Sequence, residues 1–238
     1  MENEYPSYQS SYRTEAALSQ SFLSNVFSWM FAGLLLTAIV SYLLSNAYRL
    51  LSLLVGETGM TTLGWIVMLA PLGFVLLISF GFNRLSYVAL IALFMLYAAV
   101  MGMSLSFIFL IYTSGSIYST FVIAAGMFGA MALYGYTTKT DLTRIGNILF
   151  MGLIGIIIAS LVNYFLKSDV MSYVISMISV VIFTGLTAYD VQKLKRIGSG
   201  VEYGSEAAGK LSIMGALSLY LDFINLFLAL LRLFGNRK

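Results

Sequence analysis

Seven predominantly apolar runs, at 22–44, 61–80, 87–111, 117–137, 145–166, 171–189 and 211–234, take up most of the chain. An α-helix needs about 20 such residues to cross the hydrocarbon of a bilayer. Within lipid every backbone N–H and C=O must be satisfied internally, which a helix achieves along its own length. Hydrophobic residues make up 60% of the 238 and charged residues only 10%, against about 25% charged in soluble domains. Too few polar side chains remain to coat seven buried helices in water. The expectation is an all-α integral membrane protein with seven transmembrane helices. Its organisation reads as a polar N-terminal tail over 1–21, a single transmembrane domain over 22–234 and a basic C-terminal tail over 235–238. The tail carries Glu2, Glu4, Arg13 and Glu15 and lacks the basic start and small-residue cleavage pattern of a secretory signal. The first run therefore reads as a retained helix. Pro71, inside the second run, predicts a kink there.

Lys and Arg in short connections set orientation. With the N-terminus inside, eight lie on the inner side (Arg13, Arg84, Lys139, Arg144, Lys193, Lys195, Arg196, Lys210) and five outside (Arg49, Lys167, Arg232, Arg237, Lys238). The bias favours a cytoplasmic N-terminus, in what reads as a bacterial plasma (inner) membrane. Seven crossings then put the basic end 235–238 outside, against the rule. A re-entrant or shallow last segment would remove that conflict.

Cysteine and histidine are both absent, which excludes disulfides, Cys/His zinc sites, thiol nucleophiles and His-based triads. The net charge is only +3 and the basic residues are scattered among connections, so no nucleic-acid partner is expected. The expected partners are the bilayer, small ions and protons, with a membrane protein as a further candidate. Gly126 with Gly129, and Gly152 with Gly155 and Ala159, sit inside runs at spacings that permit close helix approach.

The acids carry the functional reading. Asp222 lies in the middle of the last run, and Asp190 follows directly on the sixth. An ionisable group at such depth marks a functional site by default. In the last run Ser212, Gly215, Ser218, Asp222, Asn225, Ala229 and Arg232 recur at steps of three or four, forming one polar stripe. Polar side chains in a membrane face protein or water, so this helix is expected at the centre, surrounded by the other six. A weaker stripe, Ser172, Ser176, Ser179, Thr187 and Asp190, runs along the sixth helix and is interrupted by Phe183. If the two carboxylates meet in a poorly solvated site, they share one proton. Arg84, just after the second helix, is read either as a partner for Asp190 or as a topology-setting cation. Tyr220 is read either as a site residue or as packing.

The stretch Leu217-Ser218-Leu219-Tyr220-Leu221-Asp222-Phe223-Ile224-Asn225-Leu226-Phe227 closely resembles the last-helix signature of the Bax inhibitor family of small seven-helix membrane proteins, in its bacterial branch. The resemblance extends to Tyr189-Asp190, to Lys139-Thr140-Asp141-Leu142-Thr143 and to Gly102-Met103-Ser104-Leu105. It implies that Asp190 and Asp222 form a pH-sensing pair in a calcium leak pathway. It also implies that Arg84, reached without a gap by counting back from the Gly102 motif, latches Asp190, with Ser218 and Asn225 as supporting polar groups. The sequence departs from that pattern at Asn83 and Leu85, which add no positive charge beside Arg84, and in a longer connection around 56–60. Carboxylates suit calcium, a hard ion that prefers oxygen. Two acids make a weak, transient site rather than a storage site, and no tightly bound cofactor is expected.

Two other readings stand beside the leak channel. One is a non-transporting regulator of stress, cell death or a membrane protease. The other is an intramembrane aspartyl protease, in which paired carboxylates activate water. The protease would carry Gly-x-Gly-Asp at its second acid and a later Pro-Ala-Leu segment, whereas this chain has Leu219-Tyr220-Leu221-Asp222 and no proline after Pro71. The chain is therefore not expected to be an enzyme.

Overall fold

A computed structural model describes residues 5–56, 59–202 and 204–238. Glu2 and Glu4 of the polar tail, and Glu57 and Thr58 of the longer connection, lie outside the described residues. Among the described residues seven helices are long and apolar enough to cross a membrane. They are α1 (Tyr5–Asn46), α3 (Thr62–Gly81), α4 (Tyr87–Leu105), α6 (Ser114–Thr137), α7 (Thr143–Leu166), α8 (Asp169–Gly200) and α9 (Glu206–Phe234). A short turn, α5 (Ile108–Ile111), extends the third span after a break. The connection after α1 contains α2 (Tyr48–Leu54) and a small antiparallel pair, β1 (Val55–Gly56) with β2 (Gly59–Met60).

Hydroxyl residues define where the spans begin. Thr61, Ser86, Thr113, Ser168 and Ser205 accept from the N–H of Gly64, Ala89, Ser116, Met171 and Ala208 respectively, supplying partners for amides that the first helical turn leaves free. The helix α3 continues through Pro71.

Two elements outrun the apolar segments that announce them. The first helix already runs from Tyr5, within the polar N-terminal segment. The sixth span, 32 residues long, continues to Gly200, so Asp190 stands inside a helix instead of at its end. Beyond Asp190, Val191, Gln192, Leu194 and Gly198 are buried while Lys193 and Arg196 are exposed. One packed face is enough to prolong a helix after overall hydropathy has dropped.

The last helix is the core of the molecule. Its span is 72% buried, against 17% for α3 and 6% for α7. It packs mainly on α1, α4, α6 and α8, whereas α3 leans on α4 and α7 on α8. Four spans thus form its immediate wall, and the second and fifth stand outside. Its end also places it relative to the other spans. Tyr112 and Arg237 form an antiparallel bridge, and the N–H groups of Thr113 and Lys238 donate to the carbonyls of Asn236 (3.0 Å) and Ile111 (2.9 Å). The continuous 29-residue α9 therefore ends at the level of the connection between the third and fourth spans. It is one uninterrupted helix long enough to cross, without the turn that a re-entrant last segment would need.

Close helix approach falls on different glycines from those that spacing suggests. A Cβ on Gly135 of α6 would collide with the Ala188 backbone of α8, and one on Gly102 of α4 would meet the Thr37 carbonyl of α1. Gly126, Gly129 and Gly155 have nothing within 4 Å, and only Gly152 meets a neighbour, Ile182. Spacing shows that small residues share a face; only packing shows whether that face has a partner. Next to Gly102, Thr37 Oγ1 donates to the Ala98 carbonyl at 2.8 Å and lies 2.7 Å from the Tyr220 hydroxyl. Tyr97 and Phe94 stack edge-on against Tyr220. Tyr220 therefore joins α1, α4 and α9, and its role here is packing.

Candidate functional site

The polar stripe of α9 meets the stripe of α8 at one point. Ser218 Oγ donates to Asp190 Oδ2 at 2.5 Å, and Asp222 lies one helical turn further along α9, roughly 6 Å in rise. The two carboxylates line the same cavity but do not hydrogen-bond each other. Asp222 is only 5% exposed, and its Oδ2 has no partner among the described residues. Asn225, the next turn of the stripe, returns its Nδ2–H to the Leu221 carbonyl at 2.8 Å.

These groups line a cavity of about 750 Å³. Its polar side carries Asp190, Ser218, Asp222 and Asn225, joined by Tyr97 and Ser104 from α4 and Asn147 from α7. Its apolar side comes from α3, through Met68, Pro71, Leu72 and Val75, and from α7, through Phe150, Leu153 and Ile157. The cavity occupies the space in which the second and fifth spans would otherwise pack against α9. That explains why those two stand outside the wall. The Tyr97 hydroxyl is also buried without a partner. Room together with unpartnered polar atoms is what buried water requires.

A second cavity, of about 430 Å³, borders Asp190, Lys193 and Ser218 and runs to Phe82 at the end of the second span. Asp190 therefore borders both spaces.

The cations around Asp190 are not arranged as expected from the sequence. Arg84 is exposed in the connection after α3, and the ion pairs among the described residues are Arg196–Asp141 and Lys210–Glu206. Arg84 makes no ion pair with Asp190 in this structure. The cation that lines both cavities beside Asp190 is Lys193, whose ammonium lies 5.9 Å from the Tyr189 ring centre. Its position three residues after Asp190 was available as a signal, but only if the helix is allowed to continue past 189. Tyr97 carried no such signal, since one more tyrosine in an apolar span resembles packing.

The connection 138–142 is clamped onto the extension of α8. Arg196 Nη2 lies 3.0 Å from Asp141 Oδ1 and 2.8 Å from Gln192 Oε1. Gln192 in turn accepts from the Leu142 N–H at 2.9 Å and donates to the Thr140 carbonyl at 2.8 Å. The Thr143 hydroxyl, followed by its N–H, holds the Asp141 carboxyl below the usual carboxylate range, and the charge of Arg196 adds to this.

The family model described as Inhibitor of apoptosis-promoting Bax1 matches residues 19–238. The chain is 50% identical over 220 residues to the inner membrane protein YbhL of Escherichia coli K12, covering 92% of this chain and 93% of that protein. It is 45% identical over 226 residues to an uncharacterized protein of Borreliella burgdorferi, covering 95% and 96% of the two chains.

Proposed function

The chain belongs to the family of inhibitors of apoptosis-promoting Bax1, and from that premise and its cavity we propose that it is a pH-sensitive calcium leak pathway. One observation carries the proposal: two acids on adjacent spans, one of them held by Ser218 of the other's helix, line one cavity of about 750 Å³ in the membrane-spanning part. Two like charges on the wall of one cavity between packed helices are costly to hold together. Such a pair exchanges a proton as a unit. With only two carboxylates, calcium keeps several of its waters and binds weakly, which suits passage better than storage.

Arg84 enters in a second arrangement. Phe82, two residues before it, borders the smaller cavity with Asp190. Movement of the second span across the cavity brings Arg84 to Asp190 and closes the route. Protonation of Asp190 weakens that attraction and favours the arrangement described above. This is a two-state switch biased by one proton. The pathway lies in a bacterial inner membrane with the N-terminus in the cytoplasm, and the activity is transport, not catalysis.

The test is calcium flux into liposomes holding the purified protein. Flux should rise as pH falls, and Asp190→Asn should remove that dependence. Arg84→Gln should raise the flux at high pH toward the acid level. Flux that appears only with an added membrane partner would replace the channel by a regulator, and cleavage of a substrate helix would replace it by a protease. A pH dependence unchanged in Asp190→Asn rejects the sensor.

A further inference from the structure

On the face of α9 turned away from Asp222, a groove of about 450 Å³ lies between α1, the break between α4 and α5, and the first turns of α6. Its walls are almost wholly apolar, with Phe109, Phe121, Ile224 and Phe227 among them. Exposed tyrosines stand at its mouth, Tyr42 at 62% and Tyr118 at 73%, as aromatic residues do at a membrane interface.

Two polar features depart from a plain lipid-facing crevice. Ser41 lines the groove and is 4% exposed, yet its hydroxyl has no partner. Other hydroxyls in these spans donate to the carbonyl one turn back, as Ser28 does to Ser24, Ser176 to Ser172 and Thr187 to Phe183. Ser41 does not, so a donor is left over inside an apolar groove, where an unmade hydrogen bond is costly. The second feature is charge at the rim. The Lys238 ammonium donates to the carbonyl of Phe109, a wall residue, at 2.7 Å. An ammonium has three donors, so two remain for an anion. Arg237 stands beside it, held through its backbone bridge to Tyr112.

We infer that this groove holds one acyl chain of an anionic phospholipid from the leaflet at the C-terminal end of the bundle. The chain fills the apolar walls. The ester carbonyl accepts from Ser41, which lies little more than a turn before α1 ends at Asn46, at the depth where hydrocarbon gives way to headgroups. The phosphate meets Lys238 and Arg237, following the general use of basic residues at helix ends to recognise lipid headgroups.

Native mass spectrometry of the full chain, released from bilayers of equimolar phosphatidylglycerol and phosphatidylcholine, tests this. One phosphatidylglycerol should remain bound per protein, in preference to phosphatidylcholine by about fivefold or more, as a single well-placed cation supplies. Ala38 is an exposed residue of the groove wall, so Ala38→Phe fills the space without disturbing the core and should lower retention of both lipids about tenfold. The pair Lys238→Gln and Arg237→Gln, in the exposed tail, should abolish the headgroup preference while a lipid is still retained. Retention at the bulk ratio in the unaltered protein, or undiminished retention in Ala38→Phe, overturns the proposal.

Discussion

Removing the Tyr220 hydroxyl deletes one buried hydrogen bond and nothing that borders the large cavity, because its partner is Thr37 and not an acid. Tyr220→Phe should therefore lower stability by about 1 kcal/mol, seen as a lower melting temperature in detergent, with the pH profile of calcium flux unchanged. Asp141 permits a prediction with a definite sign. Its carboxyl is held below the usual range, first by the Thr143 hydroxyl, so the clamp is intact above the unfolded-chain carboxylate range and is lost as pH falls through the lower folded value. Asp141 thus stays ionised across roughly pH 5 to 8 and cannot sense that window. Asp141→Asn should raise hydrogen exchange in 138–142 at neutral pH and leave the pH midpoint of flux where it was. Asp190 and Asp222 were legible in the sequence because a carboxylate within or beside hydrocarbon has few structural excuses. Lys193 was not, because its meaning depends on a helix that continues past Asp190.

Helix α6 approaches α8 through a glycine that spacing alone did not single out. Gly135→Ala forces a methyl group against the Ala188 backbone, and overpacking of this kind costs about 1–3 kcal/mol. Gly126→Ala on the same helix meets nothing within 4 Å and should be neutral. Paired melting curves of the two variants check this, and equal destabilisation would contradict the packing described. The contrast also explains a limit of pattern reading. Small residues repeat along several spans, but the depth at which two helices touch depends on their crossing, and no single helix contains that information. The same holds for the length of α8, since a window of mean hydropathy ends where charges begin, whereas the helix ends only after its packed face does.

For the whole molecule, an odd number of full crossings separates the two ends of the chain. The absence of cysteine makes this easy to read with single Ser10→Cys and Asn236→Cys variants. A membrane-impermeant maleimide should label position 236 from outside intact cells and position 10 only after the membrane is opened. Labelling of both from one side would contradict seven crossings. The basic end that counted against this topology has a local explanation, for Lys238 and Arg237 are tied to the connection between the third and fourth spans.

The number of spans, the central last helix and the presence of an acid within or beside each of the last two apolar runs were legible in the sequence, because hydropathy and helical periodicity are local properties that lipid enforces on each segment separately. Tertiary structure alone decided that Ser218 donates to Asp190 across two helices, that Arg84 stands apart from Asp190 while Lys193 lies beside it, and that the second and fifth spans leave a cavity against α9. Those outcomes depend on which faces meet and at what distance, and such relations arise only when separate helices pack together.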